Sequence, residues 1–267
     1  MADGISCSIS EGCFVKKTFL HHEVPLITCM IQARTVARAK ELIALGKDDC
    51  DAYGLQVCQM NPEERTDDAL RSLFEEMGDK PVYVTNYRYG LNTGKSEETL
   101  AEELLHLADL GATLLDVTGD FYCPEPEQLT RNKEAVEKQK ALIAALHEHG
   151  AEVLMSSHVL RFLPPQEVLE MAQEQVSRGA DVAKLVMAGN NDRESHENLY
   201  TTALLKEKLN ADYLFLSIGD CCRRHRLLGA PNGCAMWLTV AEHDELSSKQ
   251  QPLCREVRAL KELIYGK

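Results

Sequence analysis

The sequence predicts a (β/α)8 barrel preceded by a short N-terminal extension. Three observations carry that expectation. From about residue 24 to the end, short β-rich runs alternate with longer amphipathic stretches. About eight such units fit a chain of 267 residues, the usual size of one α/β barrel. The first strand runs into Thr28-Cys29-Met30-Ile31-Gln32, without the glycine-rich turn that a doubly wound open sheet places there. No linker, repeat or low-complexity tract divides the chain. Residues 24–267 therefore read as one barrel domain. Residues 1–23 read as an extension, with a hairpin over 13–19 capping one barrel end.

The elements follow in order. Strands are expected over 25–30, 53–58, 81–86, 113–117, 152–156, 181–187, 213–218 and 233–240, because each is a short apolar run rich in β-branched or aromatic residues. Helices are expected between them over 36–45, 62–77, 96–110, 132–149, 164–178 and 195–209, with a last one over 252–264. Ser96 ahead of Glu97 and Glu98 is a helix start, and Pro164-Pro165 opens a helix where no backbone donor is needed. Gly111, Gly150 and Gly179 fall just past helix ends, where a left-handed residue is wanted. Strands separated by helices of roughly 10–15 residues make right-handed βαβ units and a parallel sheet.

Composition narrows the function. Twenty-nine Lys and Arg against forty-two Asp and Glu give a net charge of −13 with histidine neutral. Such a chain repels nucleic acid and anionic membranes. Its apolar runs, such as 141–146 and 214–216, are far too short to span a bilayer. The ten cysteines are scattered, with no CxxC pair or zinc-type spacing, and Met1-Ala2-Asp3-Gly4 opens no signal peptide. A cytoplasmic, reduced, metal-free protein is expected.

In a barrel the chemistry belongs at the C-terminal ends of the strands. Lys184 sits in the middle of the apolar run Asp181-Val182-Ala183-Lys184-Leu185-Val186-Met187, where an ammonium is expensive to bury. Alternation places Val182, Lys184 and Val186 on one face. On the outer face Lys184 would snorkel to solvent. On the inner face, desolvation would favour its neutral amine, a nucleophile for carbonyls. His158 ends the preceding strand in Met155-Ser156-Ser157-His158, so it would stand at the mouth one strand away and shuttle protons. Together the two residues suit imine chemistry.

Ser156-Ser157-His158 followed by Gly179-Ala180-Asp181-Val182-Ala183-Lys184 resembles type I 3-dehydroquinate dehydratase, a Schiff-base lyase of the shikimate pathway of aromatic amino acid biosynthesis. The similarity runs from Val24-Pro25-Leu26-Ile27-Thr28 to the C-terminus. The resemblance implies that Lys184 forms the imine with the substrate ketone. It makes His158 the acid/base that moves the α-proton and helps the hydroxyl leave. It adds Asp116, in Leu115-Asp116-Val117, and Arg226, in His225-Arg226-Leu227-Leu228-Gly229, the latter on the substrate carboxylate. Ser247-Ser248-Lys249-Gln250-Gln251 keeps the first and last residues of the family's Ser-Ala-Pro-Gly-Gln loop, so Ser247 and Gln251 would close over the substrate.

The chain also departs from the family. Where members carry Glu-x-Arg on the second strand, this chain reads Gln56-Val57-Cys58. On the third, Thr85-Asn86-Tyr87-Arg88 moves the expected arginine by one residue, and no glutamate follows in Tyr89-Gly90-Leu91-Asn92. A one-residue shift at a strand end flips a side chain between pore and exterior unless the loop begins there. Gln56 and Arg88 remain the expected substrate contacts at these places. Without a carboxylate at Gln56, the pKa of His158 should sit lower or depend on another partner.

Other signals are read as structural. Asp120, Tyr122 and Glu125 either line the pocket in place of the missing carboxylate or, as read here, cap a loop after the fourth strand. His21-His22-Glu23 and His243-Asp244-Glu245 are solvated surface, since adjacent residues rarely chelate one ion. Trp237 packs in the core or between subunits. Cys221-Cys222-Arg223-Arg224-His225-Arg226 follows the seventh strand, where barrels grip anions, either carboxylate or phosphate. The expected activity is elimination of water from 3-dehydroquinate or a related cyclic hydroxy-keto carboxylate. A class I aldolase-type carbon–carbon lyase and a non-catalytic ligand-binding homologue are the alternatives. No cofactor is expected; the partners are a small keto carboxylate and a second copy in a homodimer.

Overall fold

A computed structural model describes residues 17–266. Eight parallel strands run β1 (Leu26–Ile31), β2 (Ala52–Gln56), β3 (Val82–Thr85), β4 (Leu114–Thr118), β5 (Glu152–His158), β6 (Val182–Ala188), β7 (Asp212–Ile218) and β8 (Met236–Thr239). They are ordered β7-β6-β5-β4-β3-β2-β1-β8, every pair parallel. The Ala235 N–H donates to the Tyr213 carbonyl at 2.8 Å and draws β8 back to β7. Outside lie α1 (Val36–Gly46), α2 (Asp67–Met77), α3 (Glu97–Leu110), α4 (Lys133–Glu148), α5 (Pro165–Ser177), α6 (Asp192–Lys208), α7 (Cys222–Leu228) and α8 (Cys254–Tyr265). This is the (β/α)8 barrel that the alternation of runs predicts.

The strands are almost wholly buried because side chains of one face fill the barrel and those of the other meet the helix layer. Helix ends follow local chemistry. The Ser96 hydroxyl accepts from the Thr99 N–H to start α3, and Gly111, at φ 116°, ends it in a conformation that suits glycine. The expected helix over 62–77 divides, because Thr66 caps α2 through the Ala69 N–H and Pro62–Glu64 forms a separate 3-10 turn. The expected strand over 53–58 stops at Gln56, where Val57–Gln59 coils into another 3-10 turn. An eighth helix, α7, occupies the basic segment after β7; its seven residues are too few and too polar to show a period.

The N-terminal end of the barrel is closed from below. Phe19 is fully buried with its ring edge-on to Tyr83, centroids 6.5 Å apart. Glu152, at the start of β5, accepts from the Phe19 N–H at 2.8 Å and from the Thr18 hydroxyl. Asp212, at the start of β7, accepts from the His21 N–H at 2.8 Å. Of the hairpin expected over 13–19, residues 13–16 lie outside the described residues, and 17–19 are not strand. Trp237 is core, its indole N–H donating to the Leu227 carbonyl at 2.8 Å. Among the described residues no helix is long and apolar enough to cross a membrane.

Candidate active site

A cavity of about 310 Å³ opens at the C-terminal ends of the strands, and Lys184 and His158 both line it. Lys184 points inward from the middle of β6, opposite Ser156 of β5 and Leu214 of β7. Only 4% of it is exposed. Its Nζ donates to the hydroxyls of Tyr87 at 2.7 Å and Tyr83 at 2.9 Å, and lies 3.0 Å from Asp116 Oδ2. Both phenols donate onward to that oxygen, Tyr87 at 2.6 Å, while the Ser156 hydroxyl donates to Asp116 Oδ1 at 2.5 Å. A buried ion pair persists only when its remaining hydrogen-bonding capacity is met, and these three hydroxyls meet it.

The same cluster sets the charge of Asp116. Burial alone would push its carboxyl upward, but the Lys184 ammonium and the three hydroxyls hold it below the usual carboxylate range. The Tyr83 and Tyr87 phenols are driven well above their ordinary value by burial and by Asp116, so both stay protonated. The ring of Tyr87 also stands edge-on to His158, centroids 5.7 Å apart.

His158 closes β5 opposite Val186. Its Nδ1 lies 2.7 Å from Gln128 Oε1, and the same oxygen accepts the His158 backbone N–H at 3.0 Å. Burial first, then the positive charge of Lys184, push the imidazole down to about 3 against an upward pull from Asp116. The sequence leaves the partner of His158 open, and the structure supplies a neutral amide.

Arg226 lines the same cavity from α7, anchored by its Nε donating to the Ser217 carbonyl at 2.7 Å. Among the described residues it has no carboxylate partner. Burial pushes its guanidinium downward, against a smaller upward effect from Cys222. Gln251 lines the cavity with Ser248 and Gln250, its Oε1 accepting the Ser248 N–H at 3.2 Å. Ser247 does not reach it: its N–H and Oγ bind Asp244 at 3.0 and 2.7 Å and fix the turn, so Ser248 is the loop hydroxyl at the cavity.

Gln56 lines the cavity and accepts from Gln32 Nε2 at 2.7 Å. Register sets Gln56 beside Thr85, and Gln32 follows β1, so three neutral polar residues form a row across β1, β2 and β3. Arg88 is not among the lining residues. Its guanidinium turns to Glu97 at 2.7 Å and Asp120 at 2.8 Å, because the one-residue offset gives the inward place to Tyr87. Asp120, also bound by the Glu125 N–H at 2.9 Å, is consumed in that loop. Among the described residues no three His, Cys, Asp or Glu side chains converge as metal ligands.

Four contributors escape a reading of the sequence. Tyr83 shares an alternating face with Thr85, a signal that could have found it. Tyr87 stands where an arginine was sought. Gln32 lies one residue past a strand end, and Gln128 sits in an irregular loop with no periodic signal.

Comparison with known proteins bears on this geometry. Residues 27–266 match the family model described as type I 3-dehydroquinase. A 3-dehydroquinate dehydratase of Lactiplantibacillus plantarum is 31% identical over 103 residues, 38% of this chain and 41% of that protein. One of Alkaliphilus oremlandii is 29% identical over 151 residues, 55% of this chain and 52% of that protein. The matches thus span about half the length of these relatives or less. The crystal structure of 3-dehydroquinate dehydratase from Geobacillus kaustophilus HTA426 superposes with a TM-score of 0.80 at 15% identity, covering 94% of this chain and 97% of that one, a likeness of fold.

Proposed function

The chain belongs to the type I 3-dehydroquinase family, and from that premise we propose that it is a Schiff-base-forming lyase removing water from 3-dehydroquinate or a closely related cyclic hydroxy-keto carboxylate. One observation carries the reading. A buried lysine amine, ringed by two phenols and a carboxylate, shares a cavity with a neutral histidine and with an arginine that has no carboxylate partner among the described residues.

The sequence of steps follows from that arrangement. Lys184 Nζ first gives up a proton, passed along its hydrogen bonds to the phenols of Tyr83 and Tyr87. The free amine adds to the substrate ketone, and the carbinolamine loses water with a proton supplied through the phenol cluster. The resulting iminium draws electrons from the adjacent carbon, so His158 can remove the α-proton and leave a neutral enamine. Collapse of the enamine expels the β-hydroxyl, which takes that proton back from His158 and departs as water. Addition of water to the imine frees the unsaturated ketone and restores Lys184. The net change is loss of one water.

Arg226 is suited to hold the carboxylate, since a guanidinium offers paired donors and this one is not already neutralised. The row of Gln32, Gln56 and Thr85 faces the rest of the ring. All three line the cavity and offer neutral donors and acceptors to ring hydroxyls. The polar groups of Ser247 and Arg88 are engaged with Asp244 and with Glu97 and Asp120, so neither is a direct contact in this reading. The reading includes a reduced, cytoplasmic location and a homodimer, the latter tested by light scattering of the purified chain.

Borohydride trapping tests the chemistry. Incubation with 3-dehydroquinate and borohydride should add the reduced substrate to the peptide bearing Lys184, and Lys184→Ala should abolish both adduct and product. His158→Ala should still trap the imine while turnover falls by about 10²–10⁴-fold. Absence of any adduct on Lys184 with shikimate-type ketones overturns the proposal. An adduct without elimination would instead indicate the ligand-binding homologue.

A further inference from the structure

We infer that Gln128 is the positioning residue of this site: its side-chain carbonyl holds the proton of His158 on Nδ1 and leaves Nε2 bare as the base. The consequence for catalysis rests on the lyase reading, whereas the tautomer itself does not. The assignment of the amide is fixed by the backbone. The His158 N–H can only donate, and it lies 3.0 Å from the same Gln128 atom that contacts Nδ1 at 2.7 Å. That atom must be the amide oxygen, an acceptor only, so Nδ1 must carry hydrogen. Nε2 takes no hydrogen bond from any described residue, and His158 borders the cavity.

Gln128 is built into this place rather than resting there. Its φ of 49° lies in the left-handed region that non-glycine residues seldom occupy. Its N–H donates to the Glu125 carbonyl at 3.0 Å, and its own carbonyl accepts from the Ser157 hydroxyl at 2.7 Å. A Cβ at position 119 would stand 2.6 Å from that carbonyl, so glycine there is what lets the loop close on β5. The loop is thus pinned to the two residues before and at the catalytic imidazole.

An amide orients the ring without adding charge. The charged and titratable groups facing His158 are Lys184 from β6, Asp116 from β4, already paired to Lys184, and Tyr87 from the segment after β3. None is a free anion that could pair with an imidazolium. A carboxylate at position 128 would supply one and favour the protonated ring. With glutamine at position 128 the base stays neutral across the physiological range.

Nitrogen-15 NMR of the full chain with labelled histidine tests this without requiring turnover. His158 should show the Nδ1–H tautomer and remain unprotonated down to pH 5. Gln128→Glu keeps the shape and the acceptor for the backbone N–H, and should raise the titration midpoint by about two pH units or more. Gln128→Leu should lose the single tautomer. In the same variants, the acid limb of kcat should move upward in Gln128→Glu, and kcat should fall about 10²-fold in Gln128→Leu with little change in KM. A wild-type Nε2–H tautomer, a midpoint near the ordinary 6.5, or normal turnover in Gln128→Leu each overturns the inference. If the tautomer is as stated but no Lys184 adduct forms, the lyase reading fails and the positioning of His158 stands.

Discussion

Lys184 is tolerated in an apolar strand because Asp116 and two phenols are brought to it from β3, β4 and the segment after β3. The partners are not equivalent. Tyr87→Phe removes two hydrogen bonds, from Lys184 and to Asp116, and leaves the ion pair, so it should cost about 1–2 kcal/mol in denaturant unfolding. Asp116→Asn leaves a buried ammonium without its counter-charge and should cost about 3–5 kcal/mol. The phenol also serves the reaction. If Tyr87 relays protons to the carbinolamine, its loss should slow borohydride-trappable imine formation by about tenfold or more while the fold survives. Equal stability losses for the two variants would show that the phenols, not the carboxylate, keep the lysine in place.

At the scale of the element, a one-residue offset after β3 and a seven-residue helix after β7 decide the character of the pocket. The offset sends Arg88 outward to Glu97 and Asp120, tying α3 to the loop after β4. Arg88→Ala should therefore lower stability with little effect on KM, whereas Arg226→Ala on α7 should raise KM by about 10–100-fold, the equivalent of one charged hydrogen bond, and leave the unfolding midpoint nearly unchanged. Steady-state kinetics beside urea melts on both variants separate the two roles. The same elements mark how far the sequence could be read. The period of 113–117 or 181–187 and the cap at Ser96 are local facts written in adjacent residues, so the strands, Lys184 and His158 were legible, while Arg226 was implied by the resemblance. α7 was not, because Cys222–Leu228 is too short for a period. Gln128 was not, because its role comes from a loop conformation held by Ser157 and Gly119, which lie close to it only in the folded chain. Tyr87 was not, because only the fold shows that the place of the expected arginine holds a phenol bound to Lys184.

The whole molecule carries a pH dependence that the site helps to set. His158 and His225 are both pushed to about 3, chiefly by burial; His225 sits between the Thr202 and Ser217 hydroxyls at 2.8 Å each, with Arg226 adding to the effect. An unfolded histidine titrates near 6.5, so below that pH the unfolded chain binds protons that the folded chain refuses. Stability should then fall as pH drops below about 6.5, by up to about 1.4 kcal/mol per pH unit for each histidine. The depressed carboxyls of Asp116 and Asp51 act in the same direction but lower, since the stability they add is present above the unfolded value near 3.9 and is lost beneath it. Urea melts from pH 7 to pH 5 therefore isolate the histidines, and a flat midpoint over that window would contradict their neutrality. Gln128→Glu makes the division visible. With the His158 midpoint raised by about two pH units, its share of the slope should be nearly unchanged at about pH 6 and about halved near pH 5, leaving roughly three-quarters of the slope of the unaltered chain there.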